Sequence, residues 1–266
     1  ATWELAHLTV ADFVLRSAEA GYDATEIYLP ARTESCAEIR MLHDAAGLQI
    51  ISHISTDGLT AEDHIRSLEE RYTRAIKLEP LFINSHTGKD HFSHADSLKI
   101  FEAGPGGVEK NAAPNGHETH RGRALFSAPA TLAFLKEIPS LEITADFSHW
   151  TCVHESDLSD QPEALAAAMQ AAGHMHARVG FDEGPQISDP RNPAHERWLD
   201  LFTTWWKRIL QLRKDEGREW FTITPEFGPE PYMPLSGKSP QPVGDAWEYN
   251  LWMRDYIRRE LATQTP

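Results

Sequence analysis

What this chain has little of narrows its class before any motif is read. Only two cysteines occur among 266 residues, Cys36 and Cys152. They are too few and too scattered for a disulfide framework or a thiolate zinc site, and a reducing cytoplasm is the expected compartment. No apolar run reaches the roughly 18 residues of a membrane span, and no charged-then-apolar leader opens the sequence, so neither membrane insertion nor export is expected. Positive charge is scarce: 25 Lys and Arg against 40 Asp and Glu leave a net charge of -15. That balance repels nucleic acid and anionic membranes. Low-complexity linkers are missing too, so residues 1–266 read as a single domain with room for a substantial core.

What is there is a repeated pattern, clearest in residues 141–150, LEITADFSHW. Leu141, Ile143 and Ala145 alternate with Glu142, Thr144 and Asp146, the two-residue period of a half-buried strand. Asp146 closes that strand, and a turn can return His149 to its side. Desolvating an unpaired charge is costly, so such groups need a partner, and a metal ion is the obvious one. Apolar runs of strand length end in a functional-type side chain at Tyr28, His53, His86, Glu118, Asp146, His176 and Glu226, spaced 25, 33, 32, 28, 30 and 50 residues apart. A (β/α)₈ barrel of about 250 residues divides into units of roughly 31, one strand plus one helix each. With a first strand in ATWEL, ending near Glu4, the pattern predicts eight strands and an α/β TIM barrel.

Between the strands, helices are predicted at residues 9–21, 33–46, 60–78, 97–103, 129–136, 162–172, 198–212 and 247–261, with Thr9 and Thr60 as N-caps and Gly47 as a C-cap. The helix over 198–212 carries Trp198, Phe202, Trp205 and Trp206 around more than one stripe. Such an excess suits either deep cover or a subunit interface, and a homo-oligomer is expected from it. Two long connections, 180–195 and 228–245, belong on the C-terminal face, where barrels keep their active sites. The second holds Pro229, Pro231, Pro234, Pro240 and Pro242 and should form a stiff wall.

Glu118, Asp146, His176 and Glu226 fall on four consecutive strand ends. Neighbouring strands lie about 4.8 Å apart, so these side chains can converge above the barrel, and three carboxylates with one imidazole suit a divalent ion such as Mn²⁺, Co²⁺, Mg²⁺ or Zn²⁺. Tyr28, His53, His86, His120 and Arg121 would line the same mouth and hydrogen-bond hydroxyls. Arg121 or Lys89 could meet a phosphate. Trp3, Trp150 and Phe227 are candidates for an apolar wall against a sugar ring, while His64, His91, His94 and His195 read as surface residues.

ETH at Glu118, DFSH at Asp146 and His149, HAR at His176 and PEFG at Glu226 together resemble the xylose-isomerase-like TIM-barrel superfamily, in particular its sugar and sugar-phosphate isomerase/epimerase branch. The resemblance implies one divalent metal, manganese by preference, held by Glu118, Asp146, His176 and Glu226. It also implies that Glu118 and Glu226 act as the acid/base pair on opposite faces of a sugar or sugar-like polyol, and that His149 contacts substrate. The reaction would remove a proton beside a carbonyl through a metal-stabilised enediolate. Family epimerases carry an arginine several residues past the strand 7 histidine, whereas Arg178 follows His176 by only two, which leaves Arg178 as a substrate-binding candidate out of place. The related endonuclease IV branch needs an Asp-x-His element, where this chain has Asp189, Pro190 and Arg191. That departure and the acidic balance disfavour a DNA-repair enzyme. A dehydratase on the same tetrad, or a non-catalytic sugar-binding barrel, remain alternatives.

Overall fold

The computed structural model describes residues 1–5, 7–29, 32–104, 113–237 and 240–261, with the side chains of Trp3 and Glu4 outside that description, as are Pro30 and residues 105–107 of the GPGG turn. Strands and helices alternate: α1 (Val10–Glu19), β1 (Ala24–Tyr28), α2 (Cys36–Ala46), β2 (Gln49–Ser55), α3 (Ala61–Ala75), β3 (Phe82–His86), α4 (His94–Ala103) and β4 (Asn115–Glu118). The second half continues with α5 (Ala128–Glu137), β5 (Ile143–Ala145), α6 (Ser148–His154), α7 (Pro162–Ala171), β6 (Ala172–Ala177), α8 (Glu196–Asp215), β7 (Thr222–Pro225) and α9 (Ala246–Leu261). The seven strands are all parallel and hydrogen-bond in sequence order from β1 to β7. They form a nearly closed barrel of the TIM type.

The helix starts follow local chemistry. Ser35 and Thr60 each close a reciprocal capping box, with Glu38 and Asp63 respectively. Gly47 ends α2 at φ 68, a left-handed backbone that favours glycine. Serine side chains also cap α4 at Ser93 and α5 at Ser127, which places both starts slightly before the sequence expectation.

Two expectations are corrected. The first is the strand in ATWEL: residues Thr2–Leu5 form a 3₁₀ turn. The Thr2 hydroxyl accepts the Tyr28 amide at 2.9 Å, so this segment meets β1 at its C-terminal tip and does not run beside it. Among the described residues no ladder joins β7 to β1, and a cavity of about 370 Å³ lies at that seam, lined by Thr25, Glu26, Trp220, Thr222, Thr224 and Trp247. Helix α9 spans it from outside. Arg254 donates to the Ala20 carbonyl, and Arg258 donates to Gly21 O at 2.8 Å and to Asp23 at 2.9 Å.

Helix α8 answers to one of its two readings, and His64, on α3, supplies the second correction. Trp198, Trp205 and Trp206 are 8%, 6% and 2% exposed within the single chain, which fits the deep-cover reading of this helix. Phe147 packs edge-on against Trp205 and stacks on Trp150, which ties α8 to the β5–α6 corner. His64, read as a surface residue, is fully buried because Thr56 Oγ1 gives its Nδ1 a partner at 2.6 Å. No helix among the described residues is long and apolar enough to cross a membrane.

Candidate metal centre

Four strand ends bring the tetrad together. Glu118 ends β4, Asp146 follows β5, His176 is the penultimate residue of β6 and Glu226 follows β7. All four are buried, and each offers a ligand atom within 4.8 Å of the others. His176 Nδ1 lies 2.9 Å from Glu226 Oε2 and 3.6 Å from Glu118 Oε1. Two donors each about 2.1 Å from a common ion sit about 3 to 3.5 Å apart, so these separations bracket a shared cation. His176 Nδ1 and Glu226 Oε2, both buried, face each other without the geometry of a hydrogen bond, and Arg178 lies 3.5 Å from the same oxygen. A metal ion would satisfy both at once.

Charge makes the same demand. Glu26, Glu118, Asp146 and Glu226 are 2%, 1%, 0% and 5% exposed, and the guanidinium of Arg178, 2% exposed, stands among them. Arg178 pairs with Asp146, approaches Glu226 Oε2 at 3.5 Å and donates to Ser148 Oγ at 3.0 Å. Burial raises the Asp146 carboxyl to about 6 even with Arg178 beside it. Burial would likewise lift Glu118, but His86 and His176 outweigh it and hold that group well below the usual carboxylate range. Glu226 is lowered too, since His176 and Arg178 overcome its desolvation. At His176 burial opposes the charged form, yet Glu226, Glu26 and Glu118 prevail and push the imidazole well above its ordinary value. The cluster is anionic and takes up positive charge, as a proton or as a metal.

Above the tetrad is a cavity of about 220 Å³ lined by Tyr28, His53, His86, His120, Arg178 and Tyr232, together with Glu118 and Glu226. The imidazoles form a row: His53 to His86 at 4.4 Å between ring centroids, His86 to His120 at 4.4 Å and His120 to His149 at 3.9 Å. His86 Nε2 reaches Glu118 Oε2 at 3.0 Å. Burial lowers His53 to about 4, with His86 acting in the same direction, so a neutral ring faces the cavity. Burial and His86 also depress His120. The Tyr28 hydroxyl is tied to Ser55 Oγ at 3.0 Å. Glu118 belongs to two further possible ligand sets, one with His53 and His86 and one with His120 and His149.

Other expected site residues fall elsewhere. His149 sits in the first turn of α6, a helix the sequence reading lacks, because LEITADFSHW shows strand alternation only up to Asp146. It does reach Asp146 Oδ2, at 3.6 Å, but it is fully buried behind Arg178, 2.7 Å from that guanidinium, and does not line the cavity. Arg121 is exposed and Lys89 half-buried, and neither lines the cavity. Trp150 and Phe227 are fully buried in the core, so they form no wall there. Trp3 lies outside the described side chains. The aromatic wall is instead Tyr232, from the proline-rich loop after β7, with its ring 4.7 Å from the Arg178 guanidinium. That loop is pinned to the one after β6 by Gln186, which accepts from the Gly228 amide at 2.7 Å and donates to its carbonyl at 3.1 Å.

Glu26 is a buried carboxylate of this cluster that sequence reasoning misses. It stands on β1 two residues before Tyr28, and so on the same face of the strand. Burial would raise its pKa, but His176 and His174 hold it well below the usual range.

The sequence matches no protein-family model and no curated protein. The fold does match solved structures. D-psicose 3-epimerase from Clostridium cellulolyticum, crystallised with D-tagatose, superposes with a TM-score of 0.61 at 14% identity, covering 96% of this chain and 94% of that one. A xylose isomerase-like TIM barrel protein from Mycobacterium smegmatis, in complex with magnesium, gives 0.60 at 13% identity over 96% and 88% of the two chains. The fold is that of the xylose-isomerase-like TIM barrels. Endonuclease IV from Thermus thermophilus shares this architecture, with a TM-score of 0.58 at 17% identity over 96% and 94%. Fold likeness therefore sets the scaffold, and the side chains at its mouth must decide the chemistry.

Proposed function

We propose that this barrel is a divalent-metal-dependent isomerase or epimerase of a small sugar or sugar-like polyol. The observation that carries the reading is the tetrad of Glu118, Asp146, His176 and Glu226, four buried residues each offering a ligand atom within 4.8 Å of the others. These four residues would hold the ion, with Mn²⁺ favoured and Mg²⁺, Co²⁺ or Zn²⁺ suited to the same donors. Bound there, a divalent ion supplies the positive charge that makes a hydrogen beside a carbonyl acidic and steadies the resulting oxyanion.

The chain's own groups do the rest. Glu226 and Glu118 stay ionised because His176, Arg178 and His86 lower their pKa values, so either carboxylate can take a proton from substrate carbon and return one. Proton transfer by a positioned carboxylate contributes about 10² to 10⁴ in rate. Arg178, His86, His120, Tyr28 and Tyr232 offer hydroxyl partners around a cavity of about 220 Å³, small beside the roughly 300–1,000 Å³ of typical ligand pockets. That size suits a monosaccharide better than a polymer. The net charge of -15, and Arg191 held by Asp189 at 2.9 Å where a metal-binding histidine would be needed, favour a small-molecule substrate over DNA.

The test is solvent exchange. A panel of ketoses and aldoses incubated with protein and Mn²⁺ in D₂O should acquire deuterium on the carbon beside the carbonyl, in product and in recovered substrate. Glu226→Gln should abolish the exchange. Turnover without label would indicate a hydride shift, and a product lighter by one water would indicate a dehydratase. Either result, or full exchange in Glu226→Gln, would overturn the assignment.

A further inference from the structure

Glu26 has no place in that chemistry, yet it is a buried carboxylate that lines the same cavity as Glu118 and Glu226. Both of its oxygens lie 3.1 Å from His176 Nε2. Asn84 Nδ2 donates to its Oε1 at 3.2 Å, His53 Nδ1 is 3.4 Å away and His174 Nε2 is 3.5 Å away. The same Asn84 amide donates to Glu118 Oε2 at 2.6 Å. Glu26 thus touches one tetrad residue directly and reaches a second through a single side chain.

We propose that Glu26 is a positioning residue for the metal centre: it holds the Nε2–H of His176 and so fixes which ring nitrogen is offered to the ion, while its contact with Asn84 sets the orientation of Glu118. The inference rests on the metal reading of the tetrad. An ionised carboxylate only accepts hydrogen bonds, so the imidazole nitrogen facing both of its oxygens carries the hydrogen. With the ion bound, the other nitrogen, Nδ1, would offer its lone pair to it between Glu118 Oε1 and Glu226 Oε2, which lie 3.6 and 2.9 Å away. Without Glu26 the ring could flip or change tautomer and turn a hydrogen toward the ion. A carboxylate behind a ligating histidine also raises the basicity of the ring, and losing such a partner typically costs about 10- to 100-fold in metal affinity. The Asn84 bridge gives the device a second arm, since both hydrogens of one amide are used, one on each glutamate.

The experiment measures Mn²⁺ affinity by electron paramagnetic resonance, and the His176 ring by long-range ¹H–¹⁵N correlation in metal-free and Zn²⁺-loaded protein, with the signal assigned by its loss in His176→Gln. In the Zn²⁺-loaded wild type, His176 should carry its hydrogen on Nε2 and bind the ion through Nδ1. Glu26→Gln should weaken Mn²⁺ binding by about 10- to 100-fold and mix the His176 tautomers. Glu26→Asp, which keeps the charge, should recover part of the affinity and remains a usable probe if the glutamine variant fails to fold. Zn²⁺ bound through Nε2 in the wild type would overturn the proposal without any variant. So would Glu26→Gln binding Mn²⁺ within twofold of wild type with an unchanged ring spectrum, even if its melting temperature moved, because that is the behaviour of a structural ion pair. Two bound ions, one lost in Glu26→Gln and kept in Glu226→Gln, would make Glu26 a ligand and overturn it as well. The metal reading fails separately, when the wild type takes up no Mn²⁺ or when Glu226→Gln binds it as tightly.

Discussion

His117 shows what a barrel wall does to an imidazole that no carboxylate answers. It precedes Glu118 on β4, is 3% exposed, packs edge-on against Phe101 and pairs with Thr87 Oγ1 at 2.6 Å. Burial lowers its pKa to about 4, against about 6.5 in an unfolded chain. Between those values the unfolded state binds more protons, so stability is full above about pH 6.5 and is lost as pH falls toward 4. The expected loss from this group between pH 7 and 4.5 is on the order of 2.5 kcal/mol. His117→Gln should flatten the acid limb of the stability profile by about that amount in urea denaturation at the two pH values. Superimposable profiles would show that His117 does not titrate as described. Two strands away, on β6, His176 has the opposite fate, because three carboxylates face it. The same residue scale decides what can be read from sequence. Glu118, Asp146, His176 and Glu226 are legible because each closes a run of strand length, where the period and the chemistry coincide. Glu26, Asn84 and His174 are not, because a polar residue inside a strand reads as its solvent face. In a closed barrel that face is the interior. The signal is parity: each stands two residues before a strand-end side chain, namely Tyr28, His86 and His176, and so projects from the same face into the layer beneath.

At the scale of elements, the 3.6-residue period and the caps locate most helices, while the exceptions have physical causes. Helix α6 holds only seven residues and begins directly after a strand, so its periodicity is too brief to register. Residues Thr2–Leu5 have a strand-like alternation but no ladder partner among the described residues. For α8 the composition is legible and its use is not, since a helix apolar over more than one stripe serves a deep groove as well as a subunit interface. Trp206, 2% exposed and 6.0 Å from the ring of Phe202, should be among its costliest side chains to truncate. Trp206→Ala is expected to destabilise the fold by about 3–5 kcal/mol in chemical denaturation, with no concentration dependence in the transition. A midpoint that shifts with protein concentration would instead place this tryptophan in an interface between copies.

At the scale of the molecule, the sheet is a ribbon whose two edges approach each other at the β7–β1 seam, and a few side chains of α9 carry the bonding across it. Arg258 reaches Gly21 over 237 positions of sequence, and Arg254 reaches Ala20 over 234. Arg254 also lies over the Tyr22 ring at 5.3 Å, and Trp247 packs 5.9 Å from that ring. Contacts between such distant positions repay their loop-closure entropy last, so they should form after the folding transition state and break before the unfolding one. The clasp is therefore a matter of time more than of equilibrium. With Arg254→Ala and Arg258→Ala combined, stopped-flow chevrons should show unfolding about tenfold faster and refolding unchanged. A slowed refolding limb would mean that the seam closes early. Where the clasp sets the unfolding clock, the lifetime of the native barrel, and its exposure to proteolysis whenever cleavage outpaces reclosing, depends on a pair of arginines far from the chemistry.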